Sequence, residues 1–263
     1  MKNPIVIGLL GAGGVGRSFL ARMPVLLSHL GPVKAASFGV ARRISNTLRA
    51  GRPSLDYVPF AECDLICVAV PESSIDRVGR EISSEISLER KIVVLCNSTR
   101  DSFWPSPLLA GGALVATLNA VDESRERLFV AEGDPVAMRA LRKVIAAERR
   151  KLIELRAASK ALYVSGVNLS THLLLPWIAA SVESLRDAGL SRVEATQIAN
   201  ALGSRALRAY SKAGPKAWSA SAAERLRLSI ARDLDTIRAA DPKLAALYAD
   251  GVTQALRYFE PDK

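Results

Sequence analysis

Ile5-Val6-Ile7-Gly8-Leu9-Leu10-Gly11-Ala12-Gly13-Gly14-Val15-Gly16 decides the fold. An apolar run that breaks into G-x-G-x-x-G and then turns amphipathic is a strand, a phosphate-binding turn and the start of a helix. Each glycine has its own reason. Gly11 permits the tight turn, Gly13 lets backbone approach a pyrophosphate, and Gly16 lets helix and strand pack closely. The helix start behind them offers unpaired N–H groups and a partial positive charge to an anion. Gly11, Ala12, Gly13, Gly14, Val15 and Gly16 are therefore expected to cradle a dinucleotide.

Short apolar runs alternate with amphipathic stretches from here to residue 156. Strands are expected at Ile5–Leu10, Ala35–Ala41, Leu65–Val70, Lys91–Cys96 and Ala113–Asn119, with closing strands at Arg127–Glu132 and Leu152–Leu155. Helices are expected from Val15 to about Ser28, over Ser45–Ala50, Ser73–Ile86 and Pro135–Ala147. Continuous apolar strands between helices indicate a mostly parallel sheet covered on both faces. The expected class is α/β, a Rossmann doubly wound sheet.

The texture changes near Ala157. From there the pattern is helix, break, helix, with no strand. Ser191-Arg192-Val193-Glu194 has the form of a capping box, Gly214-Pro215 is a break, Ser221-Ala222-Ala223-Glu224 opens another helix, and Asp241-Pro242 opens a last one. Residues 1–156 are thus expected to form the dinucleotide-binding domain and residues 157–263 an all-helical substrate and dimerisation domain. So much apolar helix in about a hundred residues leaves faces uncovered, which points to a homodimer.

Charge narrows the partners. The chain of 263 residues carries a net charge of +10, of which +6 lies in residues 1–156 and +4 in the remainder, with no long run of one sign. So even a spread favours small anionic ligands over nucleic acid. No apolar run is long enough to span a bilayer. The three cysteines, Cys63, Cys67 and Cys96, form no C-x-x-C pair, which suits reduced thiols in the cytoplasm. Neither a paired Cys/His zinc spacing nor G-x-S-x-G occurs, so no metal and no serine nucleophile are expected.

The cofactor is read from the segment after the second strand. Domains that prefer NAD place an acid there to hold the ribose hydroxyls. No acidic residue lies between Gly16 and Asp56, and the expected position reads Val40-Ala41-Arg42-Arg43-Ile44-Ser45. Guanidiniums suit a 2′-phosphate. NADP(H) is expected, with Arg42, Arg43 and Ser45 at its phosphate, or with one or both arginines as solvated surface charge. Val70, Pro71 and Asn97 follow strand ends, where ligands bind in such sheets; Asn97-Ser98-Thr99 serves equally well as a helix cap.

The stretch from Ala157 holds the candidate chemistry. Lys160, Asn168, Ser170, Thr171 and His172 interrupt an otherwise apolar segment. A helix advancing about 100° per residue brings Lys160 within about 20° of Thr171 and Asn168 within about 40° of His172. Pro176 lacks an N–H, so a kink is expected near His172. Lys160 and His172 are candidate proton donors for hydride transfer, and Asn168 a candidate to orient a carbonyl or carboxylate. The plainer alternatives are a solvated lysine, a core histidine and an asparagine joining two helices. The substrate is expected between this stripe and the strand ends at Pro71, Asn97 and Asn119.

Several segments together carry a family resemblance: the glycine turn, the arginines, Ala69-Val70-Pro71, Phe129-Val130-Ala131-Glu132-Gly133-Asp134, Lys160-Ala161-Leu162-Tyr163 and Ile230-Ala231-Arg232-Asp233. The chain resembles the bacterial Rossmann-like oxidoreductases with a DUF2520 C-terminal domain, which are related to pyrroline-5-carboxylate reductase and the 6-phosphogluconate dehydrogenase-like group. The resemblance implies a Rossmann domain, a helical second domain, NADP(H) and dimerisation. The chain departs from that pattern at Asn97-Ser98, Asn119-Ala120, Val164 and Thr171-His172. The expected function is NADPH-dependent reduction of a C=O or C=N group in a small, anionic metabolite; the alternative is a non-catalytic NADP(H)-binding regulator or sensor.

Overall fold

A computed structural model describes residues 5–11, 23–121 and 128–259. The residues Ala12 to Gly16 of the glycine turn lie outside the described residues. The chain divides into two compact units, Met1–Val167 and Asn168–Lys263.

The first unit is built on an eight-stranded sheet. Its elements are β1 (Ile7–Leu10), α1 (Pro24–Ser28), β2 (Leu30–Lys34), α2 (Phe38–Leu48), β3 (Arg52–Pro53), β4 (Leu65–Val68), α3 (Ile75–Glu85), β5 (Ile92–Cys96), α4 (Ser106–Ala110), β6 (Leu114–Ala120), β7 (Leu128–Gly133), α5 (Pro135–Ala147) and β8 (Lys151–Glu154). The strand order is β3-β2-β1-β4-β5-β6-β7-β8. All pairings are parallel except β6 with β7. The order reverses between β1 and β4, the switch point at which a doubly wound sheet opens a crevice. The fold is the Rossmann doubly wound α/β class, followed by helices.

The apolar strands alternate their side chains between two cores. Leu9, Cys67, Val94, Ala116, Leu118 and Phe129 face one, shared with α2 and α5. Leu10, Val68, Leu95, Val93 and Val115 face the other, with Phe60 and α3. Strands buried on both faces read as unbroken apolar runs, which is why β4, β5 and β6 were legible. α5 begins where Asp134 accepts hydrogen bonds from Val136 N (2.7 Å) and Ala137 N (3.2 Å), with Pro135 in the first turn.

One strand differs from expectation. The second strand is Leu30–Lys34, and Ala35–Ala41 is a turn that runs into α2. Ser37 caps that helix by accepting from Val40 N at 3.3 Å, a local bond that ends the extended backbone. Gly31-Pro32 disguised the true strand as a turn. Gly31 is there because a Cβ would approach Val6 Cγ1 to 2.9 Å.

Two helices of the second stretch also depart. A continuous kinked helix was expected through Pro176; instead α6 (Lys160–Ser170) ends, residues 171–174 turn, and α7 (Leu175–Asp187) begins with Pro176 in its first turn. There the missing N–H costs nothing. α8 (Arg192–Ala213) has the expected capping box, with Ser191 Oγ accepting from Glu194 N and Glu194 Oε2 accepting from Ser191 N at 2.9 Å. α9 (Ala220–Ala240) is capped by Ser219, not by the expected Ser221. α10 (Pro242–Phe259) starts at Asp241, whose Oδ1 accepts from Lys243 N and Leu244 N.

Gly133 marks the tightest point of the sheet. Its φ is +151°, and a Cβ there would lie 2.5 Å from Ala116 Cα and 2.6 Å from Val115 O, both on β6. Backbone cannot yield as a side chain can. Gly133→Ala should lower the unfolding free energy by about 3 kcal/mol or more, the scale of strain plus overpacking. Gly166→Ala, on α6 with nothing within 4 Å of its Cβ, should raise it by about 0.5–1 kcal/mol. Urea denaturation of both variants checks the pair.

Candidate functional site

The carboxyl ends of β1, β2 and β4 enclose a cavity of about 550 Å3. Gly11, Lys34, Ala35, Val70 and Pro71 line it from the strand ends, Tyr57 from the β3–β4 connection, and Arg77 and Glu81 from α3. Gly11 has φ +70°, and a Cβ there would meet Val70 Cγ1 at 2.5 Å and Ala69 O at 2.9 Å. Only glycine allows β1 to end so close to β4.

The charges of this cavity are partly tied down. Lys34 Nζ donates to Leu55 O at 2.8 Å and sits 4.6 Å from the centre of the Tyr57 ring. The Tyr57 hydroxyl donates to Glu81 Oε2 at 2.7 Å, and Arg77 pairs with Glu81 at 3.0 Å. Burial, with Glu81 alongside, pushes the Tyr57 phenol above its ordinary pKa, so it stays a donor. β2 ends on Lys34, and the first turn of α2 holds no acid. That end suits a phosphorylated ribose better than a bare one, since the carboxylate lining the cavity, Glu81, lies on α3 and is engaged by Tyr57 and Arg77.

A second group of polar residues continues along the same edge. Glu72, in the turn after Pro71, accepts from Thr99 N (3.1 Å) and Thr99 Oγ1 (2.7 Å), joining the ends of β4 and β5. Asn97 has φ +56°; its N–H donates to Leu118 O and its Oδ1 accepts from Ala120 N at 3.1 Å. Asn119 Nδ2 donates to Ser98 O at 2.9 Å. Polar side chains thus close the ends of β5 and β6.

Lys160 completes this group. It opens α6 and is only 2% exposed. Its Nζ donates to Thr117 Oγ1 at 3.0 Å and to Asn119 Oδ1. Thr117 and Asn119 share a face of β6 because they are two residues apart. Thr117 stands opposite Glu132 in the antiparallel register and donates to Glu132 Oε1 at 2.9 Å. Ser102 donates to Glu132 Oε2, also at 2.9 Å. Burial pushes the Lys160 ammonium down to about 8, against the opposing pull of Glu132, Glu72 and Asp101. An amine titrating that close to neutrality can both give and take a proton.

The residues singled out in the sequence are distributed unevenly. Gly11, Val70 and Pro71 line the cavity, and Asn97 closes the β5 end as described. Arg42 and Arg43 lie exposed in α2 beyond its N-terminus and are not among the lining residues. Ser45 is buried beneath the same helix, its hydroxyl without a partner among the described residues. Asn168 and His172 belong to the second unit and are exposed, with Thr171 Oγ1 3.4 Å from His172 Nδ1. Thr117, Ser102 and the role of Glu132 were missed. The available signal was one polar residue in each of two facing apolar strands, Leu114-Val115-Ala116-Thr117 and Phe129-Val130-Ala131-Glu132. Among the described residues, no group of three or more His, Cys, Asp or Glu is arranged to hold a metal ion.

No protein-family model matches the sequence, and no curated relative does. Solved structures do match its fold. A Thermotoga maritima protein superposes with a TM-score of 0.69 at 17% identity, covering 97% of this chain and 98% of its own. A reductive aminase from Aspergillus terreus, in complex with NADPH and ethyl-5-oxohexanoate, gives 0.66 at 15% identity over 97% and 95%. A pyrroline-5-carboxylate reductase from Coxiella burnetii gives 0.61 at 12% over 96% and 98%. Likeness at such identities establishes a shared fold along nearly the whole chain.

The Lys160 titration carries a stability prediction. Between pH 8 and about 10.4 the unfolded chain holds the proton that folded Lys160 has lost, so stability rises with pH. Relative to Lys160→Met, the native chain should gain about 3 kcal/mol across that interval. Denaturant titrations of both chains from pH 7 to pH 10.5 measure the difference.

Proposed function

We propose that this chain is an NADP(H)-dependent reductase that acts on a C=O or C=N group of a small anionic metabolite, and that it belongs with the DUF2520-type oxidoreductases. The observation that carries the reading is Lys160, a buried amine on the carboxyl edge of the sheet that already holds a nucleotide-sized cavity. The cofactor assignment is supported by Lys34 at the end of β2 and by the NADPH named in the aminase complex. When bound, the reduced nicotinamide supplies hydride. The chain's own part is to orient the acceptor group and to deliver a proton from Lys160 Nζ to its oxygen or nitrogen, leaving a neutral amine that solvent reprotonates. Asn168 and His172 are proposed as substrate-side residues.

NADPH should bind more tightly than NADH. Lys34→Ala should weaken NADPH by about 1.5–3 kcal/mol, the scale of a lost charge-assisted bond, and leave NADH within about twofold. If Arg42→Ala or Arg43→Ala removes the preference and Lys34→Ala does not, the phosphate belongs to α2. Turnover over a panel of keto acids and cyclic imines tests the chemistry; tight NADPH binding with no turnover would favour a non-catalytic sensor.

A cytoplasmic homodimer completes the reading. Exposed apolar side chains crowd the helical stretch, with Leu162 71%, Leu169 65%, Val193 66% and Leu207 68% exposed. No described helix is long and apolar enough to cross a membrane, so a protein surface is the cheaper cover. Light scattering should give about twice 28.2 kDa; a monomer at micromolar concentration would contradict it.

A further inference from the structure

Glu132 is 3% exposed, and both of its oxygens are engaged by hydroxyls, Oε1 by Thr117 and Oε2 by Ser102. A hydroxyl has one hydrogen to give. Ser102 and Thr117 spend theirs on Glu132, so Thr117 can meet Lys160 only as an acceptor. The direction of the chain is thereby fixed, from Lys160 N–H to Thr117 to Glu132. Both carboxyl oxygens of Glu132 thus act as acceptors toward these hydroxyls.

We propose that Glu132, acting through Thr117, is a positioning residue that keeps Lys160 charged and aimed at the carboxyl end of β6. Two of the three ammonium hydrogens go to Thr117 and Asn119. The ammonium is a rotor with three donors in fixed tetrahedral relation. Two acceptors on the same face of one strand stop the rotation and set the direction of the third N–H. Catalytic use of that third hydrogen rests on the reductase reading; the pairing with Glu132 does not.

Other charges also face Lys160. Glu72 reaches it from the turn after β4 and Asp101 from the loop after β5. On α6 itself the Tyr163 ring lies 5.5 Å from Nζ. Of the carboxylates, Glu132 pulls hardest toward the charged form, and it alone reaches Lys160 through a hydrogen-bonded side chain. Removing Glu132 therefore should act on Lys160 more strongly than removing either of the other two.

The test follows the Lys160 side-chain carbon and nitrogen signals by NMR on the lysine-labelled full chain, assigned with Lys160→Met. Glu132→Gln should lower the proton affinity of Lys160 tenfold or more, whereas Glu72→Gln and Asp101→Asn should each lower it less. Thr117→Val should reproduce most of the Glu132→Gln effect, and Thr117→Ser should restore the native titration. If Glu132→Gln fails to fold, the two Thr117 variants decide the matter alone. Lys160 titrations that the Glu132 and Thr117 substitutions leave unmoved would overturn the proposal. The readout needs no substrate, so a coupled titration without turnover contradicts the reductase and leaves the pairing intact.

Discussion

A buried ammonium cannot be left without partners. Desolvating it costs several kcal/mol, which only close acceptors and an opposite charge offset. In this chain that requirement falls on Lys160 and is met from several elements at once: Thr117 and Asn119 of β6, Glu132 of β7, and Ser102 from the loop after β5. The register of β6 against β7 must place Thr117 opposite Glu132 for the chain of bonds to close. A slip of one residue would put the two side chains on opposite faces of the sheet. Gly133, one residue beyond Glu132, permits the close crossing that holds this register.

The same edge unites two halves that differ in chemistry. At the switch between β1 and β4, Gly11, Lys34 and Pro71 wall a cavity suited to a nucleotide. Two strands further on, Lys160 and its partners form a polar cluster with nothing apolar to do. Glu72 ties the segments together, since it follows Pro71 in the chain and holds Thr99 after β5. A dinucleotide is long enough to need both, one end for its phosphates and ribose and the other for its reacting ring. The proposed reductase follows from that continuity along one edge, more than from the fold, which hosts many activities.

The strands that were legible in the sequence are those buried on both faces. β4, β5 and β6 each read as unbroken apolar runs, and α5 announced itself through Asp134-Pro135. What misled were residues with two meanings. Gly31-Pro32 reads as a turn, yet serves a strand because Val6 packs closely over Gly31. Ala35-Ala36 reads as strand, yet Ser37 starts a helix. That shift moved Arg42 and Arg43 from a strand end onto an exposed helix face. Asn168 and His172 interrupt an apolar segment, but they are exposed and so need no buried partner. Lys160 and Asn119 were visible as candidates, whereas Thr117, Ser102 and the role of Glu132 were not, because pairing across an antiparallel register is a property of the sheet and appears in no single segment.

A crystal structure of the chain soaked with NADPH tests the central claim most directly. The account requires the pyrophosphate beside Gly11 and the nicotinamide ring at the ends of β5 and β6, within reach of a substrate atom that Lys160 Nζ can also touch. A dinucleotide bound with its nicotinamide turned away from Lys160, or held anywhere other than this edge of the sheet, would contradict it.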